Sequence, residues 1–198
     1  MVSAESAAAL PAIRAGIVAG LFTCLAYPLL VFAPLPRTIT VTLAACIGPA
    51  LAVASFGLAE FLGPARIAAK LGVLLNALAG ALFTAMLLVQ LAVGYAAGKA
   101  AIPAELRAVW LGLDVAWDAY IGLGTICFAL AMFRHPRYGA LFAIAGLAIG
   151  GALLALNFYS FPAPPANAGL VDVGPAVGLW YLAVTVQMWR SLGARYRA

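Results

Sequence analysis

The chain of 198 residues is 66% hydrophobic and 9% charged, whereas charged residues make up about a quarter of an ordinary soluble domain. This composition excludes a soluble globular domain, and the length is sufficient for several membrane-spanning helices of roughly 20 apolar residues each. The formal net charge of +5 is spread over short loops, and the absence of a basic run excludes a nucleic-acid-binding patch.

Long apolar runs predict an all-α, polytopic membrane protein, with residues 1–198 forming a single transmembrane domain of six helices. The predicted spans cover about 13–33, 39–62, 71–94, 108–132, 138–159 and 174–190. Breaks between them are marked by Pro34 and Pro36, Gly63 and Pro64, Pro103, Pro136, and Gly174 followed by Pro175. The runs are continuously apolar rather than alternating, which disfavours a membrane β-barrel. We interpret the first span as a retained helix, because its apolar stretch is too long for a typical signal peptide.

The basic residues predict the orientation of these helices. If both termini share one side, that side holds Arg14, Arg66, Lys70, Arg134, Arg137, Arg190, Arg195 and Arg197, and the other holds Arg37, Lys99 and Arg107. Because Lys and Arg are enriched in cytoplasmic loops, both termini are predicted to be cytoplasmic.

Small residues predict close helix packing in the first and fifth spans. Gly16 with Gly20, and Gly146 with Gly150, are four positions apart, so each pair lies on one helix face. Such pairs let a neighbouring backbone approach, and we interpret them as packing features without a functional role.

The fourth span contains two acids, Asp114 and Asp118, and no basic residue that would neutralise them. Ionisable residues at membrane depth are costly and mark functional sites. Trp110, Asp114, Trp117 and Asp118 fall on one helical stripe, since residues three, four and seven apart share a face. At 1.5 Å per residue, Asp118 is expected near the middle of the bilayer, with Asp114 one turn closer to the outside.

Two interpretations of the acid pair remain open. Desolvation and the neighbouring carboxyl group favour a protonated acid, which is suited to binding a proton, a metal ion or an organic cation. The indole rings would favour an organic cation, by about 0.5 to 2 kcal/mol. Alternatively, the acids only hydrogen-bond to neighbours such as Asn76, Gln90 or Tyr120 and hold the helices in register.

Further polar residues are predicted at the outer ends of the helices. Gln90, Asn157 and Asp172 fall there, which suggests a polar vestibule above Asp114. The connector over residues 160–169 should be extended by its prolines, as a lid over the vestibule or as a connector on the membrane surface. In either case, we predict that the Phe161 side chain docks on apolar helix ends.

Several site chemistries have no support in the sequence. His135 is the only histidine and has no Cys or carboxylate at ligand spacing, so neither a metal site nor a bis-histidine haem is predicted. The sequence contains no glycine-rich phosphate loop and no G-x-S-x-G motif. No cofactor can be named.

The chain resembles a group of uncharacterised bacterial multi-pass membrane proteins of similar length. Four segments carry the resemblance: Trp117-Asp118, Arg134-His135-Pro136-Arg137, Phe161–Pro164 and Gly169–Pro175. The resemblance covers about the second two thirds of the chain. It implies the bacterial cytoplasmic (inner) membrane as the location, and it carries no activity.

The leading functional hypothesis is binding or transport of a small cationic solute or of protons through an outward-opening cavity. The candidate ligand-binding residues are Asp114, Asp118, Trp110, Trp117, Tyr120, Gln90, Asn157 and Asp172. An alternative is a non-catalytic accessory or assembly subunit, with another membrane protein or further copies of the chain as its partner in the lipid bilayer. A membrane-embedded enzyme acting on a lipid-like substrate is the third hypothesis.

Overall fold

A computed structural model describes residues 4–63, 65–98 and 100–195. It contains six helices: α1 (Ala4–Phe32), α2 (Arg37–Leu62), α3 (Ile67–Ala97), α4 (Ala104–Met132), α5 (Gly139–Ser160) and α6 (Gly174–Arg195). The all-α prediction is confirmed, and these described residues include no strand. Pro64, Lys99 and Arg197, which the sequence analysis used, lie outside the described residues, as does the side chain of Arg195.

Five of the six helices, α1 to α5, are long and apolar enough to cross a membrane. The chain is therefore a multi-pass membrane protein by the length and composition of its helices. The predicted sixth span is present as α6 but falls outside this group, because it carries polar and charged residues such as Gln187 and Arg190. Its polar atoms find partners on α5 and on the loop before it: the Trp180 indole donates to the Phe142 carbonyl, and the Gln187 amide donates to the Arg137 carbonyl.

The six helices form a closed ring in which each helix packs against the next and α6 returns to α1. Neighbours are antiparallel; on α1 and α6, for example, Gly20 meets Thr185 while Cys24 meets Gly178. Helices α2, α4 and α6 all run in the same direction and also approach one another across the centre of the ring. We call the end with the loops after α1, α3 and α5 the outer end, and the opposite end the inner end.

Polar and apolar layers alternate along the axis of this ring. Moving inward from Asp118, an apolar layer comes first, with one residue from each of five helices: Leu51, Ala79, Ile121, Leu153 and Val177. A polar layer follows, formed by Ser55, Asn76, Thr125 and Tyr181. The innermost layer is a large apolar cluster that includes Leu58, Phe128, Met132, Val184 and Met188. The inner half of the ring is therefore a packed core.

The glycine pairs lie at helix contacts, as predicted. A Cβ atom on Gly16 would lie 2.6 Å from the Cα atom of Gly57, so the backbones of α1 and α2 touch at this point. Gly150 likewise faces the backbone of Gly122, where α5 crosses α4. These positions serve packing.

The connector between α5 and α6 differs from its predicted form. It is not extended throughout, because Pro165–Ala168 forms a 3-10 helix that ends at Gly169 in a left-handed conformation with φ 77°. The predicted docking of Phe161 is also wrong: its side chain is 67% exposed. Two prolines, Pro164 and Pro165, are buried instead.

Candidate functional site

Asp118 lies at the midpoint of α4 with its side chain turned into the ring. The residues of α4 that face the centre follow a stripe with steps of three and four, from Asp118 through Ile121 and Thr125 to Phe128, so the helical period itself directs the acid inward. Only 6% of the Asp118 surface is exposed. The sequence prediction that this acid is buried among apolar helices therefore agrees with the structure.

The partner of Asp118 is Asn157 of α5. The Asn157 side-chain nitrogen Nδ2 donates to Asp118 Oδ2 at 2.9 Å and also to the carbonyl of Leu153 at 2.9 Å. Asn157 is one turn from the end of α5, whereas Asp118 is half-way along α4, because α4 extends beyond α5 at the outer end. Asp118 therefore lies level with the outer end of α5, although it is half-way along α4.

Asn157 retains an unused hydrogen-bond acceptor. Its side-chain oxygen Oδ1 is buried without a hydrogen-bond partner, and the residue has no exposed surface. Buried polar atoms are nearly always paired in proteins, so an unpaired acceptor beside a carboxyl group requires an explanation.

Three further groups surround this pair on its outer side. Asp114 lies one turn away on α4, and Asp172 precedes α6; both act electrostatically on Asp118. The Tyr27 hydroxyl, on α1, lies within electrostatic range of all three acids. Asp172 is exposed and accepts a hydrogen bond from the Gly174 N–H at 2.8 Å, which starts α6. The part of the chain that the structure describes places no basic side chain in this group.

Aromatic rings form one wall of the region. The Trp117 ring stacks on Phe83 of α3 with a centroid distance of 4.4 Å, and Phe83 in turn contacts Tyr27 at 5.4 Å. One face of the Trp117 indole is therefore already covered by protein. Trp110, two turns further out on α4, is half-buried.

Two of the predicted site residues lie apart from Asp118. Gln90 lines a cavity of about 230 Å³ among α1, α2 and α3, together with Tyr27 and Thr40, and Asp118 is not part of its lining. Tyr120 is 36% exposed, because a position two residues after Asp118 points away from the ring. The structure thus groups Asp118, Asn157, Asp114 and Asp172, with Trp117 beside them.

Asn76, Gln90 and Tyr120, which we predicted as hydrogen-bonding neighbours if the acids only hold the helices in register, do not bond to Asp118. Asn76 bonds instead to the hydroxyl groups of Ser55 and Tyr181, at 2.9 and 2.8 Å. Tyr181 also contacts the Thr125 hydroxyl at 3.2 Å. Asn76 is therefore the centre of the polar layer, which lies inward of Asp118 and is separated from it by one apolar layer.

The chemistry available to the site is that of hydrogen-bond acceptors. Both N–H groups of Asn157 are used, which leaves carboxyl oxygens and one amide oxygen to receive a ligand. Across residues 4–63, 65–98 and 100–195, no group of three or more His, Cys, Asp or Glu side chains is arranged to hold a metal ion. The site suits a species that brings positive charge or hydrogen-bond donors.

Sequence reasoning missed Tyr27 and Phe83. Both look like ordinary aromatic residues of an apolar span, and only the packing of α1 and α3 around α4 brings them to the acids. Asn157 was identified as a candidate, but its direct bond to Asp118, 39 residues away, has no local sequence signal.

Comparisons with protein-family models, with curated proteins and with solved structures found no match to this chain.

Proposed function

We propose that the protein binds a positively charged species, either a proton or a small cation, at Asp118 from the outer end of the helix ring. One observation supports this most directly: a buried carboxyl group whose hydrogen-bond partner is a neutral amide and whose electrostatic neighbours are other acids. A buried carboxylate is costly unless it is paired with positive charge, and the described chain supplies none here. The ligand provides this positive charge.

Access to Asp118 is from the outer end. Asp114 lies one turn outward of Asp118, Asp172 is exposed on the outer loop before α6, and negative groups at an entrance attract cations. Inward of Asp118, the apolar layer with Ile121 and Leu153 closes the ring. Binding therefore requires no rearrangement of the core, whereas transport requires that layer to open.

We further propose that the protein lies in a bacterial cytoplasmic membrane with both termini in the cytoplasm. The inner end of the ring carries Arg14, Arg66, Lys70, Arg134, Arg137 and Arg190, while the outer end carries Arg37 and Arg107 among the described residues. This distribution follows the positive-inside rule. The acid site then faces the exterior.

Asp118→Asn tests the proposal. The variant keeps the size and hydrogen-bonding capacity of the side chain but removes its ability to ionise. The purified protein should lose binding of protons, followed by a pH-sensitive dye in weakly buffered solution, or of labelled methylammonium, used as the small-cation probe and followed by equilibrium dialysis. Glu105→Gln is the matched control, because it removes an exposed carboxyl from the first turn of the same helix and should leave binding near neutral pH unchanged. A stable Asp118→Asn protein that binds the same species as fully as the parent would refute the proposal.

A second candidate function is an accessory subunit of a membrane complex. The packed inner half of the ring favours it, since a scaffold needs no path through its core. In that case the parent protein binds neither probe, and a defined partner protein remains bound to it through gentle detergent extraction.

A further inference from the structure

The unpaired oxygen of Asn157 narrows the identity of the ligand. Asn157 Nδ2 carries two hydrogens, and they are donated to Asp118 Oδ2 and to the Leu153 carbonyl. Oδ1 of the same amide is fully buried without a partner. The hydrogen bonding of the Asn157 amide can therefore be satisfied in full only by a donor that reaches Oδ1.

A protonated Asp118 supplies such a donor. A carboxylic acid carries one O–H group and still accepts at its other oxygen. Carboxyl and amide groups are both planar and both present two neighbouring polar atoms. If the two groups are coplanar and the amide hydrogen on the same side as Oδ1 is the one donated to the carboxyl group, an O–H on the other carboxyl oxygen is directed to the amide oxygen, and the two hydrogen bonds close a ring.

We infer that the ligand of this site is a proton, held on Asp118 and shared with Asn157 Oδ1 in a paired carboxyl–amide contact between α4 and α5. The inference rests on the proposed function and specifies its ligand. Proton uptake converts Asp118 from carboxylate to carboxylic acid, and it forms one new O–H bond and one new hydrogen bond, with no further reactant.

The surroundings disfavour larger ligands. Asp118 is only 6% exposed and Asn157 is fully buried, which leaves an organic cation very little contact surface on this pair. Trp117, the aromatic residue beside the acids, already stacks on Phe83. A metal ion such as Ca²⁺ takes about six to eight oxygen ligands, and the described residues offer no such cluster.

The charged and titratable groups that face Asp118 are consistent with a proton ligand. They are Asp114 on its own helix, Asp172 from the loop before α6, and Tyr27 from α1; α5 contributes the neutral Asn157. None of them brings positive charge. Because the proton completes the contact between α4 and α5, its release leaves a single hydrogen bond between the two side chains at this level.

Infrared difference spectroscopy of the whole protein in lipid nanodiscs tests the inference. Spectra recorded at acidic and alkaline pH should show a carboxylic acid C=O band in acid together with a shifted side-chain amide C=O band. Selective ¹³C labelling of asparagine in the parent protein should move the amide band, which identifies it as an asparagine band, and the Asn157→Leu variant assigns it to that residue. Asp118→Asn should remove both signals, Asn157→Leu should remove the amide signal and shift the acid band, and Glu105→Gln, at an exposed carboxyl of the same helix, should retain the paired signals.

The outcomes separate the two proposals. An acid band that depends on Asp118, with no accompanying change in the labelled amide, overturns the paired contact. A response to methylammonium or Na⁺ at fixed pH that is lost in Asp118→Asn, together with no response to pH, overturns the proton as ligand while the cation site stands. Identical spectra of parent and Asp118→Asn under all these conditions overturn both.

Discussion

Gly124 provides a sharp test of the packing around the polar layer. A Cβ atom at this position would lie 2.9 Å from Asn76 Cγ and closer still to Oδ1, so Gly124→Ala must displace the Asn76 amide. Overpacking of this kind typically costs about 1 to 3 kcal/mol. The displaced amide also loses its bonds to Ser55 and Tyr181, and interhelical hydrogen bonds in membranes average about 0.6 kcal/mol each.

One effect opposes this loss, because alanine is favoured over glycine within a helix by about 0.8 to 1 kcal/mol. We therefore expect Gly124→Ala to lower the free energy of unfolding by a net value of about 1 to 3 kcal/mol. Reversible unfolding in mixed micelles, titrated with SDS, measures this difference. Gly112→Ala on the same helix is the control: apart from its chain neighbours and the adjacent backbone of its own helix, no atom lies within 4 Å of its added Cβ, and it should be neutral or stabilising.

A double-mutant cycle with Asn76→Ala identifies the cause, since residues in contact give non-additive effects. With the amide removed, Gly124→Ala should cost much less than it does in the parent protein. If Gly124→Ala and Gly112→Ala proved equally stable, the placement of Asn76 against α4 would be wrong.

Two other predictions concern the topology and the polar layer. In a cysteine-free background, single cysteines in the loop over residues 161–173 should react with a membrane-impermeant reagent from outside, and those over residues 134–137 should not; labelling of both from one side would contradict the orientation. Tyr181→Phe removes the hydroxyl that accepts from Asn76 and leaves a buried N–H unpaired, which should cost about 1 to 3 kcal/mol in the same unfolding assay. Tyr159→Phe, at a side chain that is 81% exposed, should have no effect; equal stability of the two variants would show that the Tyr181 contact contributes nothing.

The helices could be predicted from the sequence because their signals are local. Continuous apolar runs and Pro or Gly breaks placed all six, and α4 and α5 end within one residue of the predicted positions. The start of α1 at Ala4 was missed, since residues before 13 include polar positions that do not extend the apolar run. The connector was predicted incorrectly because its shape depends on internal hydrogen bonds, such as the Leu170 N–H to the Pro165 carbonyl.

The site was only partly predictable, because its contacts join distant parts of the chain. The cost of a charge at membrane depth was sufficient to identify Asp114 and Asp118. The choice of Asn157 over Asn76 as the partner of Asp118 depends on the register between α4 and α5, which is fixed by close approaches such as Gly122 to Gly150. Glycines are so common in this chain that their sequence pattern does not specify which pair meets.

The polar character of α6 has a consequence for how the protein is assembled. An isolated helix in a bilayer has no water to satisfy groups such as the Gln187 amide and the Tyr181 hydroxyl, and each unsatisfied group is costly there. In the folded ring those groups bond to residues of α3, α4 and the loop before α5, all of which are synthesised earlier. We therefore expect α6 to enter the membrane only together with the helices that supply its hydrogen-bond partners. Insertion of α6 and closure of the ring are then a single event.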